Sequence, residues 1–373
     1  MSDILDRRPE RAFFARRLIE HLLEMPEFEV TLVHYKKMPD DLLYSQAREV
    51  IIPLVRFPYA AHFISFIRFC LTTDYKFDVF QWLVGRPYPF FWLVPAEKIV
   101  ILAHDAGGAL APGIFTWAQF FFNLMLRYFH GRMDAVIGVS HFASREIVYA
   151  YHIPPEKVFT IYNGIDEIYK PTSPEKVKET LKRYGLEAGK YFLYIGGLQT
   201  HKNIPNLIKA YDLLCRGSGA RVEEKLIIAA TPSYGEKEVY EAANASKFKK
   251  NIIFLPRVIA LEDMSAFYSG ATALVYPSLH EGFGLPPLEA MVCGTPVVAS
   301  FATSLPEVVG EAAILVDPKN LEDIMKGMKR ILENPGLRDE LREKGFVQAR
   351  KFTWEKYAED HAVLYKKIYA GYS

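Results

Sequence analysis

Two glutamates flank a loop that is rich in glycine and proline, in the stretch EGFGLPPLE. Glu281 opens this stretch and Glu289 closes it, eight positions later. Between them, Gly282 and Gly284 leave backbone N–H groups unobstructed and allow a positive φ. Carboxylates on both sides of free amides predict a place where the chain grips a polar ligand.

The elements around this loop are predicted to aim it into a crevice. The run ATALV before it is typical of a buried strand, and LEAMVC after it indicates a short helix that stops at Gly294. Pro286 and its neighbour suit a first helical turn. Parallel sheets bind ligands beyond the carboxyl ends of their strands, where the positive end of this helix can meet an anion.

Each glutamate alone has a structural interpretation. Glu289 could complement the helix dipole in the first turn, and Glu281 could be a solvated loop residue. The two carboxylates together with the intervening glycines and prolines favour a functional loop.

Other polar residues stand at predicted strand ends. His104 ends KIVILAHD, where plain packing is the alternative, and Asp105 follows it. Lys202 lies in GGLQTHKN just after a strand, with a surface lysine as the alternative. Ser140 ends DAVIGVS and points toward the crevice by the same logic, and Arg257 follows the strand in FLPRV.

Strands and helices alternate along both halves of the chain. The first half gives a helix near 10–25, strands in FEVTLVHY, DVFQWLVG and KIVILAHD, and a long aromatic helix near 113–130. A polar segment at 169–188 is the predicted linker, after which the alternation restarts with YFLYIGG. This pattern predicts an α/β protein with two doubly wound parallel sheets. FTWEKYAEDHAVLYKKIY predicts a final helix.

Composition narrows the class of protein. The 373 residues favour two domains, and a net charge of +1 does not suggest nucleic-acid binding. Three scattered cysteines argue against a disulfide framework or a structural zinc site. No signal peptide or membrane-spanning run is recognisable. The aromatic content of 14% indicates either a Phe-rich core or a surface that docks on a membrane.

EGFGLPPLE resembles the E-x7-E signature of retaining GT-B glycosyltransferases, specifically glycosyltransferase family 4 (glycosyl transferases group 1). AVIGVSHFASREI, PPEKVFTIYNGID, YIGGLQTHKN and SLPEVVGEAAILVDP resemble family landmarks in family order, and the resemblance covers roughly 99–365. The mannosyltransferase-like branch looks nearest.

The resemblance implies a GT-B fold, in which two Rossmann-like domains face each other and a C-terminal helix crosses back to the first. We therefore expect an acceptor-binding domain at 1–168, a linker at 169–188, a nucleotide-sugar domain at 189–352 and the returning helix at 353–373. PERAFF stands where the family has a glycine-rich loop, so the first strand is expected to be absent or atypical.

The family pattern assigns donor-binding roles to the glutamate loop. Glu289 would bind the ribose hydroxyls, because a carboxylate can accept two hydrogen bonds from a diol. Glu281 would grip the transferred sugar. The amides of Phe283, Gly284 and Leu285 would line the sugar and the phosphates.

The resemblance also supplies the charge partners of the donor. Lys202 matches the diphosphate-binding lysine, and His104 matches an active-site histidine that hydrogen-bonds the sugar. Gly197, a donor-binding position, stands where many members have arginine, and Arg257 is the candidate replacement. Asp105 and Ser140 are the candidate acceptor-binding residues.

The implied function is transfer of a hexose, of mannose or glucose type, from a nucleoside-diphosphate sugar such as GDP-mannose, UDP-glucose or ADP-glucose. The acceptor would be a glycan or a lipid-linked acceptor, and the anomeric configuration would be retained by same-face attack. We expect no metal or other cofactor, no nucleic-acid partner, and a cytoplasmic protein for which docking on the inner face of the membrane stays open. The alternatives are a GT-B sugar synthase or phosphorylase, and a catalytically silent nucleotide-sugar-binding scaffold.

Overall fold

The computed structural model describes residues 13–36, 42–56, 61–83, 88–106, 117–217, 222–255 and 259–371. The chain folds into two compact units. Unit 1 comprises Met1–Gly164 and Thr353–Ser373, whereas unit 2 comprises Ile165–Phe352. The chain therefore leaves unit 1 once and returns to it at the end.

Unit 1 begins, among its described residues, with a helix rather than a strand; the predicted atypical start lies in 1–12, outside those residues. Its strands are β1 Thr31–His34, β2 Arg48–Ile51, β3 Phe77–Trp82, β4 Ala96–His104, β5 Ala135–Gly138 and β6 Val158–Thr160. The helices of unit 1 before β6 are α1 Phe13–Leu23, α2 Leu42–Gln46, α3 Ala61–Thr72, α4 Trp117–Phe129 and α5 His141–Tyr151.

The strands of unit 1 form two separate parallel sheets. One is the pair β1–β2, and the other has the order β3-β4-β5-β6. β2 was not predicted, because REVI is short and has two polar residues followed by two apolar ones. The break between the sheets was not predicted either.

Many of the described aromatic side chains of unit 1 lie in its core. Phe66, Phe91 and Trp82 are almost fully buried in one cluster with residues of β1, β4 and α5. Phe120 and Tyr128 of α4 are instead exposed. Within the described part of the chain, every helix is too short or too polar to cross a membrane.

Unit 2 contains a single six-stranded sheet among its described residues. Its strands are β7 Tyr191–Gly197, β8 Lys225–Thr231, β9 Ile252–Leu255, β10 Ala273–Tyr276, β11 Val297–Ser300 and β12 Ala313–Val316. They follow the order β12-β11-β10-β7-β8-β9, and every pairing is parallel. This is the doubly wound arrangement that the alternation predicted.

Helices cover the sheet of unit 2. They are α6 Pro174–Arg183, α7 Ile204–Gly217, α8 Glu236–Ala245, α9 Met264–Ser269, α10 Leu285–Val292, α11 Leu305–Val309, α12 Leu321–Glu333 and α13 Pro335–Ala349. The segment 169–188, which the sequence analysis treats as a linker, contains α6 and belongs to unit 2. Val177 and Leu181 lie buried on α6 at helical spacing, which the polar composition obscured.

The last helix, α14 Trp354–Tyr369, belongs to unit 1 and packs against α1. Trp354, Tyr357 and Ile368 form part of its buried stripe. The ring of Phe13 meets that of Trp354 edge-on at 5.6 Å, which fixes the start of α1 against the start of α14.

Candidate functional site

The site lies where the strand order of unit 2 reverses. β7 and β10 are neighbours, with Leu193 opposite Leu274; β8 and β9 lie beyond one of them, and β11 and β12 beyond the other. Connections on the two sides diverge at such a pair, which opens a crevice beyond the carboxyl ends of the strands. The loops after β7 and β10 carry Lys202 and Glu281.

Lys202 and Glu281 form an ion pair in this crevice. The Lys202 Nζ donates to both carboxylate oxygens of Glu281, at 2.7 and 2.9 Å, and to the hydroxyl of Tyr276 at 3.0 Å. The two charged side chains are only 15% and 10% exposed. The pairing excludes the interpretations of a surface lysine and a solvated loop glutamate.

Tyr276 is a member of this cluster that the sequence analysis missed. It is the last residue of β10, fully buried, and its ring stacks on Tyr194 at 5.9 Å. Burial raises the pKa of Tyr276 well above its usual range, so the hydroxyl stays protonated. The one available signal in the sequence was an aromatic residue at the strand end, directly before Pro277.

The lysine loop is fastened to the glutamate loop. Asn203, in a left-handed conformation with φ 63°, donates its side-chain amide to the carbonyls of Pro277 (2.9 Å) and Pro318 (2.7 Å). The backbone N–H of Leu279 donates to the carbonyl of His201 at 2.7 Å. These bonds hold Lys202 in place before any ligand arrives.

The segment after β11 supports the other side of the glutamate loop. The N–H of Glu281 donates to the hydroxyl of Thr303 at 3.0 Å, and the hydroxyl of Ser304 lies 2.9 Å from the carbonyl of Glu281. Thr303 has φ 57°, which is a strained conformation for a β-branched residue. Neither Thr303 nor Ser304 was predicted from the sequence, because their role depends on contacts with Glu281, about twenty positions away.

Gly284 permits the turn from this loop into α10. Its φ is 107°, and a Cβ at this position would lie 2.5 Å from Cδ2 of Leu305. Phe283 and Gly284 are buried and Leu285 is partly exposed. The residues of the predicted amide lining therefore lie directly before α10 and at its first position, and their contact with a donor stays a prediction.

Glu289 lies on α10 beyond the first turn, so it does not complement the helix dipole there. Its carboxylate accepts a hydrogen bond of 2.6 Å from the hydroxyl of buried Tyr268. Burial raises the pKa of Glu289 to about 7, against hydrogen bonds from Tyr268 and Tyr169 that lower it, and Asp166 raises it further. Glu289 can thus change charge near neutral pH.

Gly197 and Arg257, the two other donor-binding candidates, contribute no positive charge among the residues that the structure describes. A Cβ at Gly197 would overlap the side-chain amide of Gln199, so the backbone is closely packed at this position. Arg257 lies outside the described residues. Among the candidates that the structure describes in unit 2, Lys202 is therefore the one that carries positive charge.

The candidates of unit 1 occupy the carboxyl end of its four-stranded sheet. His104 ends β4 with φ 61°, and its ring meets that of Phe14 edge-on at 4.6 Å. Burial lowers the pKa of His104, which Asp105 partly opposes, so the imidazole is neutral near pH 7. A neutral ring can exchange hydrogen bonds with a sugar but offers no positive charge.

Ser140 has a structural role. Its hydroxyl accepts the N–H of Ala143 at 2.9 Å and caps α5, and the residue is fully buried. This burial leaves Asp105 as the accessible acceptor-binding candidate, since Asp105 is only partly buried.

Comparison with known families matches both halves of the chain. Residues 12–168 match the model described as Glycosyltransferase Family 4, and residues 176–348 match the model described as Glycosyl transferases group 1. The first match covers unit 1 up to its last strand, and the second covers the sheet and the site of unit 2.

Individual proteins give the same result. The chain is 32% identical to the O-antigen chain mannosyltransferase B of Escherichia coli over 279 residues, which are 73% of this chain and 71% of that protein. It is 31% identical to a serotype-specific mannosyltransferase of the same species over 74% of this chain but only 35% of that protein.

A solved structure with a similar fold is the sucrose-phosphate synthase of Thermosynechococcus elongatus. It superimposes with a TM-score of 0.72 and 21% identity, covering 96% of this chain and 94% of that one.

Proposed function

Since this chain belongs to glycosyltransferase family 4 and has the GT-B fold of these transferases, we propose that it is a retaining hexosyltransferase. The donor is a nucleoside-diphosphate sugar, and GDP-mannose is the first to test because two similar proteins are named mannosyltransferases. The acceptor is a glycan or a lipid-linked acceptor.

The observation that carries this proposal is the buried Lys202–Glu281 pair at the switch point of unit 2. A buried lysine fixed at a strand end can stabilise a diphosphate, whose negative charge grows as the bond to the sugar breaks. The phosphates give Lys202 a second anionic partner. Glu281 then remains beside the sugar and accepts hydrogen bonds from its hydroxyls.

The reaction in this proposal exchanges one bond for another on the same face of the sugar. The bond between the anomeric carbon and the phosphate oxygen breaks, and the acceptor oxygen forms the new bond. The acceptor proton passes to an oxygen of the departing phosphate. Lys202 and the amides at the start of α10 stabilise that phosphate.

The remaining candidates orient the donor. Glu289 binds the ribose hydroxyls through its carboxylate form, and Tyr268 holds that carboxylate in position. His104, as a neutral imidazole, hydrogen-bonds the sugar. No step needs a metal ion; loss of transfer in EDTA, with recovery on adding Mg²⁺ or Mn²⁺, would contradict this part of the proposal.

A thermal-shift panel of GDP-, UDP- and ADP-sugars would identify the donor, because a ligand that binds the folded state raises the melting temperature. Radiolabelled transfer from the best donor then tests catalysis. Glu281→Ala should lower turnover more than donor affinity, whereas Glu322→Ala, an exposed glutamate on α12, should change neither.

The reaction product distinguishes a transferase from a phosphorylase, a synthase or a silent scaffold. A phosphorylase would release sugar phosphate, a synthase would make a soluble sugar or sugar phosphate, and a silent scaffold would bind the donor without consuming it. Transfer by Glu281→Ala at the wild-type rate would refute the role of Glu281.

We also propose peripheral docking on an anionic membrane through α4. Phe120, Arg127 and Tyr128 are exposed on this helix, and Arg132 is exposed just after it. Aromatic rings next to arginines suit a membrane interface. Co-sedimentation with anionic liposomes that is reversed by salt supports the proposal, and its absence in low salt contradicts it.

A further inference from the structure

Every donor of the Lys202 ammonium group is engaged before a ligand binds. The Nζ lies 2.7 and 2.9 Å from the two carboxylate oxygens of Glu281 and 3.0 Å from the hydroxyl of Tyr276. An ammonium group has three donors and no acceptor. A phosphate oxygen must therefore take the place of one of these three contacts.

Tyr276 is the partner of Lys202 that is least able to move. Its side chain is almost fully buried at the end of β10, and its ring stacks on that of Tyr194 at 5.9 Å with an angle of 14° between the planes. Tyr194 is held in turn, because its hydroxyl donates to the carbonyl of Gly197 at 2.9 Å. The hydroxyl of Tyr276 thus stays beside Lys202 when a ligand arrives.

The carboxylate of Glu281 is the partner that can turn. The backbone of Glu281 is bonded to Thr303 and Ser304, so the side chain is the part that changes conformation. Both of its oxygens bind the same ammonium group, and one of them is enough to keep the two charges paired. A rotation of the carboxylate therefore frees one donor of Lys202 and one oxygen of Glu281 together.

The freed oxygen of Glu281 needs a new hydrogen-bond donor. The side chain is only 10% exposed, so water has little access to it. A buried charged oxygen that loses its partner weakens binding by about tenfold or more. The hydroxyls of a sugar supply the missing donor, whereas an ionised diphosphate without a sugar has none to offer.

On the basis of the proposed function, we propose that the Lys202–Glu281 pair makes the crevice discriminate between an intact nucleotide sugar and a diphosphate that has lost its sugar. The intact donor brings a phosphate for Lys202 and a hydroxyl for Glu281, and the two are bound together. The diphosphate product brings only the phosphate. After transfer, the ion pair closes again and displaces the product.

The test compares two ligands of equal charge. GDP-mannose and the β-methyl ester of GDP carry the same negative charge, but the ester lacks the sugar hydroxyls. The corresponding uridine or adenosine compounds replace them if the thermal-shift panel selects that base. Isothermal titration calorimetry with the wild-type protein should show that the nucleotide sugar binds at least about tenfold more tightly than the ester.

A variant that changes no charge tests the cause of this difference. Tyr276→Phe keeps the ring and its stack but frees one donor of Lys202, so a phosphate can bind without turning Glu281. The ester should then bind about tenfold more tightly than it binds to the wild type, and the nucleotide sugar should gain much less. Tyr194→Phe is the control, because it removes a buried hydroxyl that bonds Gly197 instead of Lys202. It should leave the ratio of the two affinities unchanged.

NMR of the free wild-type protein, labelled with ¹⁵N at lysine, tests the starting state without a variant. The ammonium protons of Lys202 should exchange with water more slowly than those of Lys326, which is exposed on α12. Equally fast exchange at Lys202 and Lys326 would overturn the proposal, whether or not the Tyr276→Phe variant folds.

The binding results distinguish this discrimination from the proposed function. If no nucleotide sugar of the panel binds, both are refuted. If the nucleotide sugar and the ester bind equally well to the wild type, or if Tyr276→Phe does not tighten the ester, the discrimination is refuted and the proposed function stands. Tighter binding of the ester to Tyr276→Phe, with no such change in Tyr194→Phe, supports it.

Discussion

The two units differ in the charged groups at the carboxyl ends of their strands. In unit 2, Lys202 and Glu281 neutralise each other inside the crevice of an unbroken six-stranded sheet. In unit 1, His104 is a neutral ring packed on Phe14, beside a sheet that is split in two. Preorganised charge thus belongs to the half proposed to hold the donor, and the other half offers packing and hydrogen bonds.

Removing the charge of Lys202 should produce the largest effect. Lys202→Met should lower the rate of transfer by about 10²- to 10³-fold, because the leaving phosphate loses its cation. It also leaves Glu281 buried without a partner, at a cost of about 3 kcal/mol in the free energy of unfolding. Transfer assays and urea denaturation measure the two losses.

The control for this prediction is the double variant Lys202→Met/Glu281→Gln. It should recover most of the stability, because no buried charge remains, but no transfer. Recovery of transfer by the double variant would contradict the role of Lys202 as the phosphate partner.

The conformation of Gly284 offers the second largest effect. Gly284→Ala should reduce the free energy of unfolding by about 2 kcal/mol, because alanine is strained at φ 107° and its Cβ collides with Leu305. Gly131 in unit 1 has open space around it, so Gly131→Ala should change stability by less than about 0.5 kcal/mol. Equal losses of stability in Gly284→Ala and Gly131→Ala would contradict the difference in backbone strain and packing between these two glycines.

Donor affinity should depend on the ionisation of Glu289. In the role proposed for Glu289 the ribose hydroxyls bind its carboxylate form, and the pKa of Glu289 is about 7 in the free protein. Affinity should therefore rise about tenfold between pH 6 and pH 8, as the ionised fraction grows. Isothermal titration calorimetry across this range measures it.

Two variants sharpen this pH prediction. Glu289→Gln should bind the donor more weakly and with a flat pH profile. His104→Asn should keep the wild-type slope, because burial lowers the pKa of His104 and the ring is already neutral in this range. A slope that persists in Glu289→Gln would assign the titration to another group.

The exposed ion pair of unit 1 should give the smallest effect. Lys366 bonds Glu27 at 2.8 Å, but both side chains are about half exposed, at 57% and 46%. In a denaturation experiment Lys366→Ala should change the free energy of unfolding far less than Lys202→Met does, because water and salt screen an exposed pair. A loss of stability comparable with that of Lys202→Met would show that burial does not explain the difference between the Lys366–Glu27 and Lys202–Glu281 pairs.

The features that the sequence predicted well are local ones. The loop from Glu281 to α10 follows from its own glycines, prolines and flanking apolar runs, and the alternation of strands and helices predicted the sheet of unit 2. The pairing of Lys202 with Glu281 could be placed only at strand ends, because seventy-nine positions separate the two residues.

What the sequence did not predict depends on contacts between distant elements. Tyr268 and Thr303 contact the glutamates through the packing of α9 and of the segment after β11, and nothing in their neighbouring residues marks them. The separation of the two sheets in unit 1 was not predicted for the same reason, because whether two strands pair depends on both strands and not on either alone.

The return of α14 to unit 1 also orders events during synthesis. Unit 2 is a continuous stretch of the chain, whereas unit 1 lacks α14 until about 190 further residues have been made. At ribosomal rates this delay lasts roughly 10–40 s. During that time the surface of α1 that later packs on Trp354 is uncovered, so a nascent chain must keep its first half from aggregating until its last helix emerges.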